Sequence, residues 1–354
     1  MLNGCYFDKL TSPAERTAYN TIVSALHREE SSLSIPTVGR EAAMRAWRAA
    51  VFDNPDILNY PGLVFGGQCR GADVECSFEY TPIDERGRQL YEERLQGLKD
   101  RIDARLSSSP SDYDVCKAIY DVLACTITYR WNLLKRFNEM RSTNDAGLAA
   151  FLLENTPAFT PYGAVTQSKA VCQGISKLYK ILCESFGVEC AVVEACSEAV
   201  PEGGNPDHML NIVEVDGARA FVDVTDGLFV PPLPVVRYSS FLVSSRAIGR
   251  EFRICDGFEC TDDSLSYFAR NGLVFRTEES LRRYLAAFAA RPGCRRLRVQ
   301  YTGSLSDGDL EALVAGVMGY HCRAGYEFRQ LKPRNGFCYG MIVDEKTLKT
   351  KESQ

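Results

Sequence analysis

Apolar residues recur at helical spacing from the start of the chain. Tyr19, Ile22, Val23 and Leu26 follow the string Ser12-Pro13-Ala14-Glu15, which offers a capping serine, a proline at the first helical position and a glutamate three residues after the serine. A helix is expected there. A second is expected over Glu41 to Phe52, where Met44, Trp47, Ala50 and Val51 share one face before Asp53-Asn54-Pro55 ends it. The stretch 62–81, rich in Gly, Cys and aromatics, predicts a short hairpin, and Asp84 to Leu106 predicts a long amphipathic helix. Residues 1–106 therefore read as a mainly helical N-terminal accessory region.

Ser107-Ser108-Ser109-Pro110 reads as a loop, and Ser111 with Asp114 three residues on resembles a capping box for a helix carrying Val115, Ile119, Val122 and Leu123. From 143 to 171 Gly, Pro, Thr and Asn interrupt the pattern around Ala149 to Leu153, and the apolar helix Cys172 to Phe186 follows. Three strand-like runs come next: Val188 to Glu194, Met209 to Val215 and Arg219 to Thr225. The order is helix first and antiparallel sheet afterwards, an α+β core over 107–245. Beyond the Phe229–Pro234 loop, residues 246–354 alternate between helix (Glu278 to Ala289, Asp307 to Gly319) and strand (Arg296 to Tyr301, Tyr326 to Leu331, Phe337 to Val343), a small α+β unit with a frayed tail over Glu345 to Gln354.

Composition narrows the classes. With 354 residues, 45% hydrophobic and 25% charged, the chain fits a soluble globular protein of two or three packed units. Its net charge of -5 is spread evenly, so no basic stripe suggests a nucleic-acid partner. No run approaches the ~18 apolar residues of a membrane span, and the N-terminus lacks a signal-like pattern. A cytoplasmic protein is expected, with a removed export or lipid-anchor segment, for which Cys5 is a reminder, as the alternative. Fourteen scattered cysteines without a CxxC pair are expected to be mostly buried, reduced thiols. Neither Cys255 with Cys260 nor His321 with Cys322 forms a metal-ligand pattern, and Gly66-Gly67 and Gly203-Gly204 lack the strand-to-helix context of a phosphate-binding loop. No metal or cofactor is expected.

Any chemistry needing imidazole has three candidates, His27, His208 and His321. His27 and His321 read as surface or capping residues. His208 has a neighbour. Asp216-Gly217 between two strand-like runs is a hairpin signal; if Val215 pairs with Ala218, Leu210 faces Asp223 and His208 faces Thr225. His208 and Asp223 then lie on one face as diagonal neighbours with Cα atoms roughly 7–8 Å apart. An aspartate so placed accepts the Nδ1 proton and turns the other nitrogen to a nucleophile. Cys172 is the candidate nucleophile because it opens a helix, whose free amides and positive dipole end favour a thiolate. On its own, a cysteine at a helix start has a structural reading too.

The strings Ala170-Val171-Cys172-Gln173-Gly174-Ile175-Ser176, Gly187-Val188-Glu189-Cys190, His208-Met209-Leu210-Asn211-Ile212-Val213, Asp216-Gly217 and Phe221-Val222-Asp223-Val224-Thr225 resemble the core of the transglutaminase-like superfamily, as carried by bacterial transglutaminase-domain-containing proteins. The specific match covers about 160–228; Ile127-Thr128-Tyr129 on the preceding helix extends the resemblance to about 110–245. It departs at Leu210, where many members have tryptophan. The resemblance implies a papain-like fold in which the helix bearing the cysteine packs on the antiparallel sheet bearing histidine and aspartate. It implies acyl transfer from a peptide or glutamine amide without a metal, with Cys172 as nucleophile, His208 as proton carrier and Asp223 orienting His208. Such chemistry needs oxyanion donors: the Cys172 amide, and Gln167 as a candidate side chain, though Gln167 also reads as a solvated loop residue. Hydrolysis of a peptide or protein substrate is the preferred outcome. Transfer to an amine, or a non-catalytic binding or scaffolding module, are the alternatives, and the oligomeric state stays open.

Overall fold

Ser12 accepts the Glu15 amide while the Glu15 carboxylate takes the Ser12 amide, and this reciprocal cap starts α2 (Pro13–His27), after one turn of helix in α1 (Cys5–Asp8). The structure is a computed structural model describing residues 2–36, 39–71, 73–202, 204–228, 236–249, 251–290, 296–318, 326–331 and 337–342. The loop expected at Phe229–Pro234, His321 and the tail Glu345–Gln354 lie outside the described residues. The chain divides into two compact units, Met1–Asp262 and Asp263–Gln354.

In the first unit, α3 (Arg40–Asp53) packs on α2, and β1 (Ser32–Ile35), β2 (Gly67–Arg70) and β3 (Asp73–Ser77) form a small antiparallel sheet in the order β1-β3-β2. Then come α4 (Glu85–Asp103) and α5 (Asp112–Thr126), the latter opened by the Ser111–Asp114 box. A two-residue parallel bridge joins β4 (Thr128–Tyr129) to β5 (Lys169–Ala170). Between them lie α6 (Trp131–Ser142), α7 (Leu148–Phe159) and α8 (Pro161–Thr166). The interruption expected around Ala149 to Leu153 is thus helical. Pro157 falls in the last turn of α7, and Pro161 sits at the first position of α8, where a missing amide is tolerated.

The helix α9 (Cys172–Ser185) lies against β6 (Cys190–Ser197) and β7 (His208–Val215), whose sheet continues through β8 (Ala218–Val222) and β9 (Phe241–Val243) and takes β10 (Phe252–Ile254) on its other edge, in the order β10-β6-β7-β8-β9. All its described neighbours are antiparallel. The β7–β8 register is the expected one, Val215 opposite Ala218 and Asn211 opposite Val222. Asp216 and Gly217 take φ of 52° and 83° in the turn, a conformation that Asp-Gly adopts readily. β8 stops at Val222 because Asp223 becomes the cap of a short helix, α10 (Val224–Gly227), rather than continuing the strand to Thr225.

Two devices bind α9 to the sheet. Asn211 Nδ2 donates to the Ser176 carbonyl at 2.9 Å, and Ser176 Oγ donates to the Met209 carbonyl at 3.1 Å. Residues of the N-terminal helices share one apolar cluster with Val192, Leu210 and Ile212 of the sheet. A half-buried ionic knot reinforces it: Arg48 Nε donates to Glu194 at 2.7 Å and its other arm to Asp256, which also accepts from Tyr6 Oη at 2.7 Å. Mixed helix and antiparallel sheet make this an α+β fold.

In the second unit β11 (Val274–Phe275) and β12 (Arg296–Tyr301) run parallel, while β13 (Tyr326–Leu331) and β14 (Phe337–Ile342) complete an order β11-β12-β14-β13. Leu281 and Leu285 of α13 (Glu278–Ala289), the third helix after α10, following α11 (Ser245–Ile248) and α12 (Tyr267–Arg270), pack with Leu297, Val299, Leu310 and Val314 into its own core.

Candidate active site

Cys172 is placed by backbone on two sides. The Val171 amide donates to the Ala158 carbonyl at 3.0 Å, and the β4–β5 bridge sets Tyr129 opposite Ala170. Gly174 then lets the first turn of α9 approach the end of α7: a Cβ there would lie 2.8 Å from the Thr160 carbonyl oxygen and 2.9 Å from that of Ala158. His208 opens β7, the strand on which α9 packs, so the thiol and the imidazole meet where the start of the helix crosses the start of the strand.

Asp223 divides its carboxylate. Oδ1 accepts the Thr225 amide at 2.8 Å, which fixes the side chain as the cap of α10, and Oδ2 lies 2.8 Å from His208 Nε2. The ring nitrogen on the carboxylate is therefore Nε2 rather than the expected Nδ1, and Nδ1 is the nitrogen not engaged by Asp223. Phe252 of β10 stacks on the imidazole at 4.4 Å between centroids with planes 13° apart, closing its other face.

The electrostatics favour a charged pair. Burial pushes the Cys172 thiol up, but the hydrogen bond and charge of His208, helped by the Tyr129 hydroxyl and the Met209 backbone, outweigh it and hold the thiol below its ordinary value. Burial pushes His208 down, yet the charge and hydrogen bond of Asp223 and its contact with Cys172 carry the imidazole well above its ordinary value. A thiolate beside an imidazolium satisfies both shifts.

Gln167 stands elsewhere. It is exposed at the C-terminal end of α8, its amide bonded to Gly163, and it does not line the cavity at Cys172. The glutamine that does line the cavity is the buried Gln173, whose Nε2 donates to the Pro61 carbonyl. Asn211 is likewise spent on holding α9 to the sheet, and Leu210 is fully buried in the core. Sequence reasoning assigned no role to Tyr129, Phe252 or Gln173. Tyr129 and Gln173 are visible only as parts of strings, and Phe252 carries no local signal.

The cavity beside Cys172 and His208 measures about 40 Å³ and is walled by Leu63, Leu134, Phe137 and Phe159, with Arg141 at its edge. It is a narrow recess that opens on one side to solvent. Outside it, an open depression of about 510 Å³ beside the exposed Trp131 shares Leu134 and Asn138 with the cavity. Among the described residues there is no cluster of His, Cys, Asp and Glu able to hold a metal ion, and no helix is long and apolar enough to cross a membrane.

No protein-family model matches this chain, and no curated protein matches it. Among solved structures, a TGase is similar at 16% identity over 51% of this chain and 48% of its own, with a TM-score of 0.32. A proposed protease from Parabacteroides distasonis is similar at 8% identity over 46% of this chain and 36% of its own, with a TM-score of 0.25. The chain thus spans half or less of the length of these two proteins. Both likenesses are remote.

Proposed function

We propose that this protein performs thiol-dependent acyl transfer on amide bonds of a peptide or protein, with Cys172, His208 and Asp223 as the working residues of a papain-like arrangement. The observation that carries the reading is geometric: His208 Nε2 lies 2.8 Å from Asp223 Oδ2, and the imidazole and the Cys172 thiol line one cavity. Burial alone favours a neutral thiol and a neutral imidazole, and here both are driven the other way by one another and by Asp223.

In this mechanism the Cys172 thiolate attacks the substrate carbonyl, and the oxygen takes the charge in front of the Cys172 amide. His208 passes its Nδ1 proton to the leaving amine, Asp223 holds Nε2 through the step, and water then releases the acyl group. Water needs no acceptor site of its own, so hydrolysis is the outcome we adopt over transfer to an amine. The catalytic core is 107–245 together with β10, which supplies Phe252. The accessory region 1–106 narrows the cleft through Pro61, bonded to Gln173, and through Leu63.

The small cavity favours one second reading, a binding module that retains the triad behind a narrow cleft. Profiling a mixed peptide library with and without an added amine separates the readings. Free acyl products that vanish in Cys172→Ala support hydrolysis, amine conjugates that vanish in the same variant support transfer, and no turnover of any member by the wild-type protein favours the module.

A further inference from the structure

We propose that Tyr129 is a further catalytic residue of this site: its phenolic O–H and the Cys172 N–H are the two donors that hold the acyl oxygen as it becomes negative. The inference rests on the reading of Cys172 as nucleophile.

The placement is rigid. Tyr129 lies in the two-residue bridge beside the chain that leads into Cys172, with the Thr128 amide donating to the Ser168 carbonyl at 2.9 Å on one side and the Arg130 amide to the Ala170 carbonyl at 3.0 Å on the other. Its ring packs on Trp131 at 4.3 Å between centroids. The Cys172 amide donates to Tyr129 Oη at 3.3 Å, a long bond for an amide and a hydroxyl. Two donors 3.3 Å apart can be spanned by a single oxygen lying about 2.7–3.1 Å from each, the separation an oxyanion site requires.

In the resting site the Tyr129 hydroxyl stands in for that oxygen, accepting the amide while its own proton serves the sulfur. Burial, followed by the charge of Cys172 and the bond to it, holds the phenol well above its ordinary value, so it remains a donor at any working pH. When the thiolate attacks, the S–C bond forms and the carbonyl π pair moves to oxygen. Negative charge leaves the sulfur for an atom that the same proton can reach, and the amide exchanges a weak bond for a charged one. Both changes strengthen binding in the transition state more than in the ground state. Gln167 is exposed away from the cavity, Gln173 Nε2 is committed to Pro61, and Arg141 Nη1 donates to the Pro206 carbonyl at 3.2 Å.

Two probes test this on the full chain. Iodoacetamide alkylates a thiolate with loss of iodide and no charge on an acyl oxygen. p-Nitrophenyl acetate acylates the same sulfur through a tetrahedral oxyanion, releases p-nitrophenolate and leaves a thioester that water cleaves to acetate and thiol. Alkylation is read by mass spectrometry on the Cys172 peptide, because other cysteines are exposed, and acylation is read above the background of Cys172→Ala. For Tyr129→Phe the pH midpoint of alkylation is expected to rise, its plateau rate to stay within about twofold, and acylation above both midpoints to fall on the order of 10²-fold. Acylation that falls no further than the alkylation plateau, or two rates that fall together, overturns the role of Tyr129. Failure of the underlying reading looks different: wild-type protein acylated no faster than Cys172→Ala.

Discussion

The first and last turns of α9 each carry a buried cysteine, and the two behave oppositely. Cys183, near the C-terminal end, is pushed well above its ordinary value by burial first and then by the Cys116 and Cys190 thiols around it. Cys172, at the first position, ends below its ordinary value in spite of equal burial. Enclosure by itself makes a thiol inert. What lowers the Cys172 thiol is the imidazole on the neighbouring strand, by hydrogen bond and by charge, with the Tyr129 hydroxyl across the β4–β5 bridge and the Met209 backbone adding to it.

The comparison breaks most visibly by removing each sulfur. Cys172→Ala is expected to abolish acyl transfer with the melting temperature nearly unchanged, while Cys183→Ala, a small deletion in a packed interior, should keep the rate and lose about 1 kcal/mol of stability. Turnover measured beside thermal unfolding checks both, and near-wild-type turnover by Cys172→Ala would end the enzyme reading.

Asp223→Asn ranks next. The amide can still bond Nε2 but favours the wrong tautomer, a change that costs on the order of 10⁴ in a serine triad. A preformed ion pair depends less on its orienting residue, so a fall of about 10²–10³ is expected, together with a raised alkylation midpoint at Cys172. For the wild-type protein the sign is set by both shifts. Thiolate appears as pH rises through the lowered thiol value and imidazolium disappears as it rises through the raised histidine value, so acyl transfer should follow a bell between them. A profile rising only through the ordinary thiol value contradicts the pairing.

Smaller effects sharpen the geometric side. Gly174→Ala forces a methyl against two backbone carbonyls that cannot turn away, and about 1–3 kcal/mol of destabilisation with a roughly tenfold slower rate is expected from calorimetry and kinetics. Phe252→Ala removes the ring over His208, an aromatic contact of about 0.5–1.5 kcal/mol, which corresponds to a loss of some 2- to 10-fold in rate. A variant as fast as wild type would leave Phe252 a packing residue only.

Local chemistry determined much of this protein by itself. Capping strings at Ser12 and Ser111 start helices where side chains can satisfy free amides, and Asp-Gly at 216–217 sets a register that puts His208 and Asp223 on one side of the sheet. These signals act within a few residues, so no distant neighbour is needed to read them. Tertiary structure decided the rest. The helices over 148–166 form despite Gly and Pro because their apolar faces are buried against α6 and α9. Asp223 leaves the strand to cap α10, and Nε2 rather than Nδ1 faces its carboxylate. Tyr129 and Phe252 reach the thiol and the imidazole from elements 43 and 44 residues away along the chain, respectively (172 − 129 and 252 − 208). The size of the cleft depends on where Leu63 and Pro61 come to rest. Contacts of that span are chosen by how whole elements pack, and no pattern confined to one segment encodes them.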